Sequence, residues 1–209
     1  MTISLRELGV SVVLLDIEGT TTPISFVYDM LFPYARARLR DHLSPAEVER
    51  AERLMDEDSK DPWLKRVQGE IWERGFARGE LHGDVYPDVP AAFDRWQTAG
   101  LTIAIYSSGS VVAQRCLFST TRHGDLTGFL TAFFDTAVGP KRSPESYGHI
   151  ARALDQRPNR ILFLSDVVPE LDAAHAAGMH AILCVRPGNA PATPTTSTPV
   201  VRSFDEIVE

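Results

Sequence analysis

Two kinds of apolar pattern alternate along this chain. The first is a short unbroken run: Val12-Val13-Leu14-Leu15, Leu101-Thr102-Ile103-Ala104-Ile105-Tyr106, Phe133-Phe134-Asp135-Thr136, Ile161-Leu162-Phe163-Leu164 and Ala181-Ile182-Leu183-Cys184-Val185. Each run is too short for a stable helix and is bounded by Gly, Ser, Thr or Asp. Each therefore reads as a strand, and the most apolar of them as strands buried on both faces. The second pattern is helical. A helix over residues 90–99 stops at Gly100, another runs through Cys116 and Leu117, a third opens at Ser143-Pro144 and reaches about Leu154, and a fourth stops at Gly178. Strands alternating with helices predict βαβ units, right-handed crossovers and an α/β fold built on a doubly wound parallel sheet.

Residues 24–88 break this rhythm, since they carry no strand signal. A first helix is expected over residues 27–43, interrupted by Pro33. A second begins at Ser44-Pro45-Ala46-Glu47, a capping box with Pro at the first helical position. A third begins at Asp61-Pro62, with Leu64, Val67 and Ile71 on one face. Trp63, Trp72 and Phe76 read as core aromatics of a small bundle. The predicted organisation is a core from residues 1–23 and 89–209, with residues 24–88 inserted as a helical cap. Residues 187–199 are rich in Pro and Thr and read as an irregular surface segment. Residues 200–207 are expected to return as a short edge strand and turn.

Composition narrows the function classes. The chain has 209 residues and a formal net charge of −7, which disfavours nucleic acid or an anionic membrane as partner. No apolar run approaches the roughly 20 residues of a membrane span, and no secretory signal is visible at the N-terminus. Cys116 and Cys184 have neither disulfide-framework nor zinc spacing, so both are expected to be buried, inert thiols in a cytoplasmic protein.

The candidate chemistry lies where the strands stop. Asp16 ends the first strong strand and Glu18 follows two residues later, on the same side if the chain stays extended. Ligands of open α/β sheets bind outside the carboxyl ends of the strands. A lone strand-end Asp more often caps a turn. Here, however, three more strand ends carry polar groups: Ser107-Ser108 before Gly109, then Lys141, then Ser165-Asp166. The serine hydroxyls and a helix N-terminus suit a phosphate, although one Ser alone would serve as an N-cap. Lys141 offers a point charge, whereas a lone Lys is usually solvated. Asp16 with Asp166 would make a hard oxygen site for Mg²⁺. Glu170 is expected in a supporting position and Asp172 on the surface. Together the set suits a carboxylate nucleophile attacking a phosphate, with a second carboxylate, Glu18, moving protons.

Asp16-Ile17-Glu18-Gly19-Thr20, Ser107-Ser108-Gly109, Lys141 and Ser165-Asp166, in that order, resemble the four motifs of the haloacid-dehalogenase-like phosphatases. The helical segment between the first two resembles the cap of one subgroup. A closer resemblance, to the enolase-phosphatases (acireductone synthases) of methionine salvage, is carried by the stretch from Asp16 to Val27. Gln68-Gly69-Glu70-Ile71-Trp72, Val85-Tyr86-Pro87-Asp88-Val89-Pro90, Tyr106-Ser107-Ser108-Gly109-Ser110 and Leu164-Ser165-Asp166-Val167 carry it further. The resemblance covers nearly the whole chain up to Asn189.

It implies enolisation and dephosphorylation of 2,3-diketo-5-methylthiopentyl-1-phosphate to the acireductone. It also implies Mg²⁺ held by Asp16, Asp166 and the backbone carbonyl of Glu18, and phosphate contacts from Ser107, Ser108, Gly109 and Lys141. Asp16, Glu18 and Lys141 would be the catalytic residues, and a monomer is expected. Apolar or aromatic residues near Phe26, Trp72 or Phe76 would suit the methylthio end. A related phosphatase for another small metabolite is the enzyme alternative. A dehalogenase would leave Glu18 an unneeded buried carboxylate, costly to desolvate. A phospho-accepting signalling module would have no need of a helical lid.

Overall fold

The computed structural model describes residues 2–57, 59, 61–191 and 198–209. Its centre is a six-stranded sheet, parallel throughout. The strands are β2 (Val12–Leu15), β3 (Thr102–Tyr106), β4 (Ala132–Phe134), β5 (Ile161–Ser165), β6 (His180–Cys184) and β7 (Val200–Val201), in the spatial order β4-β3-β2-β5-β6-β7. A separate parallel pair joins β1 (Ile3–Ser4) to β8 (Ile207–Val208). Strand order reverses at β2. The chain leaves it first towards β3 and β4 and later returns on its other side through β5 to β7. Leu15 therefore lies in register with both Ile105 and Leu164. Such a reversal opens a crevice beyond the strand ends, and Asp16 sits at its lip.

The pleat divides the apolar residues between two layers. Val13, Leu15, Ile103, Ile105, Leu162 and Leu164 face a core with helix α4 (Val89–Thr98) and its Phe93 and Trp96. Val12, Leu14, Ala104, Tyr106, Ile161 and Phe163 face the opposite core, built on α6 (Pro144–Ala153) and α7 (Val168–Ala176). Every residue of β2 is buried, which is why that strand reads as an unbroken apolar run.

Between β2 and α4 come three helices, α1 (Phe32–His42), α2 (Pro45–Asp56) and α3 (Pro62–Ala77). They enclose an apolar cluster of their own, with Ala35, Leu39, Val48, Ala51, Leu64, Val67 and Ile71. The capping box at Ser44 and Glu47 is present, and Asp61 caps α3 by accepting from the backbone N–H groups of Trp63 and Leu64. The predicted first helix is divided. Phe26–Leu31 forms a π-helix, and α1 starts only at Phe32 with Pro33 in its first turn. Pro33 lacks the N–H an uninterrupted α-helix would use, and a first turn tolerates that loss.

The expected return at residues 200–207 is two short strands in different sheets, β7 and β8, joined by a 3₁₀ turn at Phe204–Glu206. Residues 192–197 of the Pro/Thr-rich segment lie outside the described residues. Cys184 is buried as expected, whereas Cys116 is only partly so. Burial raises both thiol pKa values, that of Cys184 to about 12. Among the described residues no helix is long and apolar enough to cross a membrane.

Candidate active site

The strand-end residues singled out from the sequence meet beyond β2. Asp16 continues the β2 ladder, donating its N–H to Leu164. Its carboxylate is 4% exposed at the residue level and accepts from the backbone N–H of Ile17 at 2.8 Å. Lys141 Nζ lies 2.6 Å from Asp16 Oδ1 and 2.7 Å from Glu170 Oε2. Lys141 is no surface lysine. Tyr106 donates to the carbonyl of Gly139, Ser146 to that of Pro140 and Tyr147 to that of Lys141, so β3 and α6, packed on the same face of the sheet, anchor its loop. Burial disfavours the ammonium, but the Asp16 and Glu170 carboxylates outweigh it and hold the Lys141 pKa above the usual lysine value.

Ser165 completes this cluster. Its hydroxyl lies 3.3 Å from Asp16 Oδ2 and 3.1 Å from Glu170 Oε2, so its one proton is shared between two acceptors. Glu170 is more deeply engaged than its supporting place in the sequence suggested. Burial, followed by the charge of Asp16, pushes its pKa up to about 7. Asp172 is exposed, as expected.

On the other side of Asp16, β3 ends in Ser107, which is buried, and Ser108, which is exposed. Neither hydroxyl caps the following helix, α5 (Val111–Ser119). Ser110 takes that role, accepting from the N–H of Ala113; Ser107 Oγ accepts from the N–H of Gly109 at 3.3 Å, which leaves its hydroxyl proton, and the Ser108 hydroxyl, available to a ligand. Gln114, buried on α5, donates to the carbonyls of Gly109 and Phe134 at 2.8 and 2.9 Å. The Asp135 carboxylate accepts from Val111 and Ala137, tying the end of β4 to the start of α5. Sequence reading missed both residues. Their partners are carbonyls and N–H groups, which leave no side-chain pattern.

The turn after Asp16 is held from far along the chain. Arg186, 5% exposed, donates through Nε to the carbonyl of Thr20 and through Nη1 to Asp88 Oδ2 at 2.7 Å, between the rings of Tyr86 and Phe204. Asn189 donates to the carbonyl of Gly19. Gly19 has φ +71°, and a methyl group there would lie 2.4 Å from Asp166 Oδ2 and 3.0 Å from Asn189 Oδ1. No larger residue fits.

Asp166 is half-buried. Burial, and then the negative charge of Asp16, pushes its pKa up to about 7. Asn189 Oδ1, buried beside it, has no hydrogen-bond donor among the described residues. This corner is rich in hard oxygen acceptors and short of positive charge, and that donor chemistry fits a hard divalent cation. Among the described residues no three His, Cys, Asp or Glu side chains form a metal cage. The set is two carboxylates with the neighbouring backbone.

Glu18 is exposed rather than buried, because the chain turns at Gly19 and leaves it facing a cavity of about 770 Å³ between the inserted helices and the strand ends. Ser108, Gly109 and Asp135 contribute from the core. Tyr28, Phe32, Gln68 and Trp72 contribute from the cap side. Of the residues expected near the methylthio group, only Trp72 is on this wall. Phe26 and Phe76 turn into the core beneath the sheet and are each 6% exposed.

Comparison with known proteins decides the family. The family model for haloacid dehalogenase-like hydrolases matches residues 10–178. The enolase-phosphatase E1 of Synechococcus elongatus is 42% identical, over 95% of this chain and 98% of that protein. The chain belongs to the enolase-phosphatase E1 family, among the haloacid dehalogenase-like hydrolases. The enolase-phosphatase E1 of Sorangium cellulosum is 44% identical over 93% of this chain and 96% of its own. Among solved structures, the UTR4 protein of Saccharomyces cerevisiae has a TM-score of 0.80 and 34% identity, covering 94% of this chain and 99% of its own. CbbY from Rhodobacter sphaeroides, solved in complex with phosphate, shares the fold at 22% identity and a TM-score of 0.68.

Proposed function

We propose that this enolase-phosphatase converts 2,3-diketo-5-methylthiopentyl-1-phosphate to 1,2-dihydroxy-3-keto-5-methylthiopentene and phosphate, through an aspartyl-phosphate on Asp16. Identity of 42% to an enolase-phosphatase E1 along nearly the whole chain carries the reading. The convergence of Asp16, Lys141 and Asp166 at one strand-end crevice supports it.

Mg²⁺, held by Asp16, Asp166 and the backbone carbonyl of Glu18, would supply charge neutralisation between the attacking carboxylate and the phosphate. Lys141, Ser107, Ser108 and the N–H of Gly109 bind the phosphoryl oxygens and hold phosphorus in line with Asp16. The Asp16 carboxylate attacks phosphorus, and the bond to the ester oxygen breaks. Glu18 gives that oxygen a proton. Glu18 then takes a proton from the water that attacks the phosphorylated Asp16; phosphate leaves, Asp16 is a carboxylate again, and Glu18 passes its proton to solvent before the next turnover. Before this, Glu18 is the base that removes a proton from the ester carbon of the diketone. The cap, residues 24–88, closes over the cavity and excludes bulk water.

The partner in this reading is a small phosphorylated diketone, and the protein a cytoplasmic monomer. The test is a comparison of substrates. kcat/KM for the diketone phosphate should exceed that for a simple aryl phosphate by at least about 100-fold, or ~2.7 kcal/mol of differential transition-state binding. Equal values would return the chain to the broader class of small-metabolite phosphatases.

A further inference from the structure

Gln68 is a buried polar side chain that the steps above do not use. It is 6% exposed. It stands on α3, one turn after Leu64 and one turn before Trp72, on a helix face otherwise given to packing. No hydrogen bond to its carboxamide is made by any described residue. The amide is not sealed in protein either, since Gln68 lines the cavity between cap and core. Its neighbour Gly69 fixes where that is. A methyl group on Gly69 would lie 3.7 Å from Ser110 Oγ, so α3 crosses directly over the loop that follows β3. Desolvating an amide without a partner is unfavourable, and Met would fill the same volume without that penalty. The residue therefore points to a ligand group at this spot.

Charge and hydrogen-bonding capacity select the group. A carboxamide is neutral at every working pH and offers two N–H donors and one acceptor. The phosphate has Lys141 and the serine hydroxyls. A thioether is at best a weak acceptor. The substrate of the proposed function, on which this inference rests, also carries a carbonyl on the carbon next to the phosphate ester carbon. With the phosphate held by Lys141 and the serine hydroxyls, that carbonyl would fall beyond it, on the side where α3 passes over the loop.

We propose that Gln68 hydrogen-bonds this carbonyl oxygen and stabilises it through enolisation. The base removes a proton from the ester carbon. The C–H electron pair forms the carbon–carbon double bond, and the carbonyl π pair moves onto oxygen. The oxygen then takes a proton from solvent to become the enol hydroxyl, while the base keeps the proton it removed. The Gln68 N–H groups donate to the oxygen as charge develops, and the Gln68 carbonyl accepts from the hydroxyl once it has formed. A side chain with donors alone would serve only the first half of this change.

The test uses the whole protein with Mg²⁺. Enol formation from the diketone phosphate is followed by ultraviolet absorbance in a single turnover. Hydrolysis of an aryl phosphate without a carbonyl is followed in parallel. Gln68→Met should slow enol formation by about 10²–10³-fold, the usual effect of losing one such donor, with a smaller change in KM. Its aryl phosphate hydrolysis should stay within about twofold of wild type. Gln68→Glu, which keeps an acceptor but not the donors, should fall with it. Unchanged enol formation in either variant overturns the proposal. So does an equal loss on both substrates, which would make Gln68 a support for the whole site. Wild-type protein that hydrolyses the aryl phosphate but leaves the diketone phosphate untouched overturns the proposed function, and this assignment with it.

Discussion

Asp16 has its place because a buried strand runs out at a point where strand order reverses, and because Lys141 arrives from the loop before α6 to meet it at 2.6 Å. Asp16→Asn keeps the shape and removes the attacking charge. Phosphate release should fall by at least about 10³-fold, or ~4 kcal/mol of transition-state stabilisation. Steady-state phosphate assays on the purified variant check this, and near-normal turnover would remove Asp16 from the nucleophile's role. Glu18→Gln separates two duties. If Glu18 serves both proton transfers, enol absorbance and phosphate release both slow. Normal accumulation of the enol with loss of phosphate release alone would place the enolisation base elsewhere. Asp16 and Glu18 were legible in the sequence because a short apolar run points directly at them. Lys141 was legible only through its company. Arg186, Asn189 and Gln114 were not, because each acts on backbone carbonyls, two of them more than 160 positions away.

Elements with strong local chemistry were read well. The capping box at Ser44, Asp61 before Pro62, and the Gly100 and Gly178 stops all mark real helix ends. β1 and β8 escaped because two residues carry no period, and the π-helix at Phe26–Leu31 escaped because its apolar residues fit an α-helical pattern equally well. Tertiary ties between elements show in stability. Arg186 joins the loop after β6 to the Asp16 turn and to Asp88 at the start of α4. Arg186→Leu leaves Asp88 with the N–H of Phe204 and the Ser203 hydroxyl but without its countercharge. Removing one partner of a buried ion pair costs about 3–5 kcal/mol. At roughly 2–4 °C per kcal/mol for a chain of this size, Tm should drop by about 6–20 °C. A thermal melt unchanged within a degree or two would show that the tie contributes little.

For the whole molecule, the acidic site couples folding to pH and, in the proposed reading, should couple it to Mg²⁺. In the metal-free protein, burial and the charge of Asp16 hold the Asp166 pKa near 7, against about 3.9 in an unfolded chain. Between those values the folded state binds the extra proton, so its stability falls as pH rises from about 4 to 7. A divalent cation favours the ionised carboxylate and removes that loss. The rise in Tm on adding Mg²⁺ should therefore be larger at pH 8 than at pH 5, and EDTA should abolish turnover until Mg²⁺ is restored. A Mg²⁺ shift independent of pH would contradict this coupling. The alternation of strands and helices was enough to reveal the α/β sheet, and the absence of strand signals after Asp16 pointed to the helices that lie between β2 and α4. The cavity between them was not legible, because its walls come from segments that sequence distance does not connect.

The most direct measurement follows both products in one reaction. Purified protein with Mg²⁺ is mixed with 2,3-diketo-5-methylthiopentyl-1-phosphate under anaerobic conditions, and acireductone absorbance and inorganic phosphate are recorded together. The expected result is one acireductone for each phosphate released, with both signals lost in Asp16→Asn. Phosphate released without acireductone, or acireductone formed at the wild-type rate by Asp16→Asn, would contradict the account.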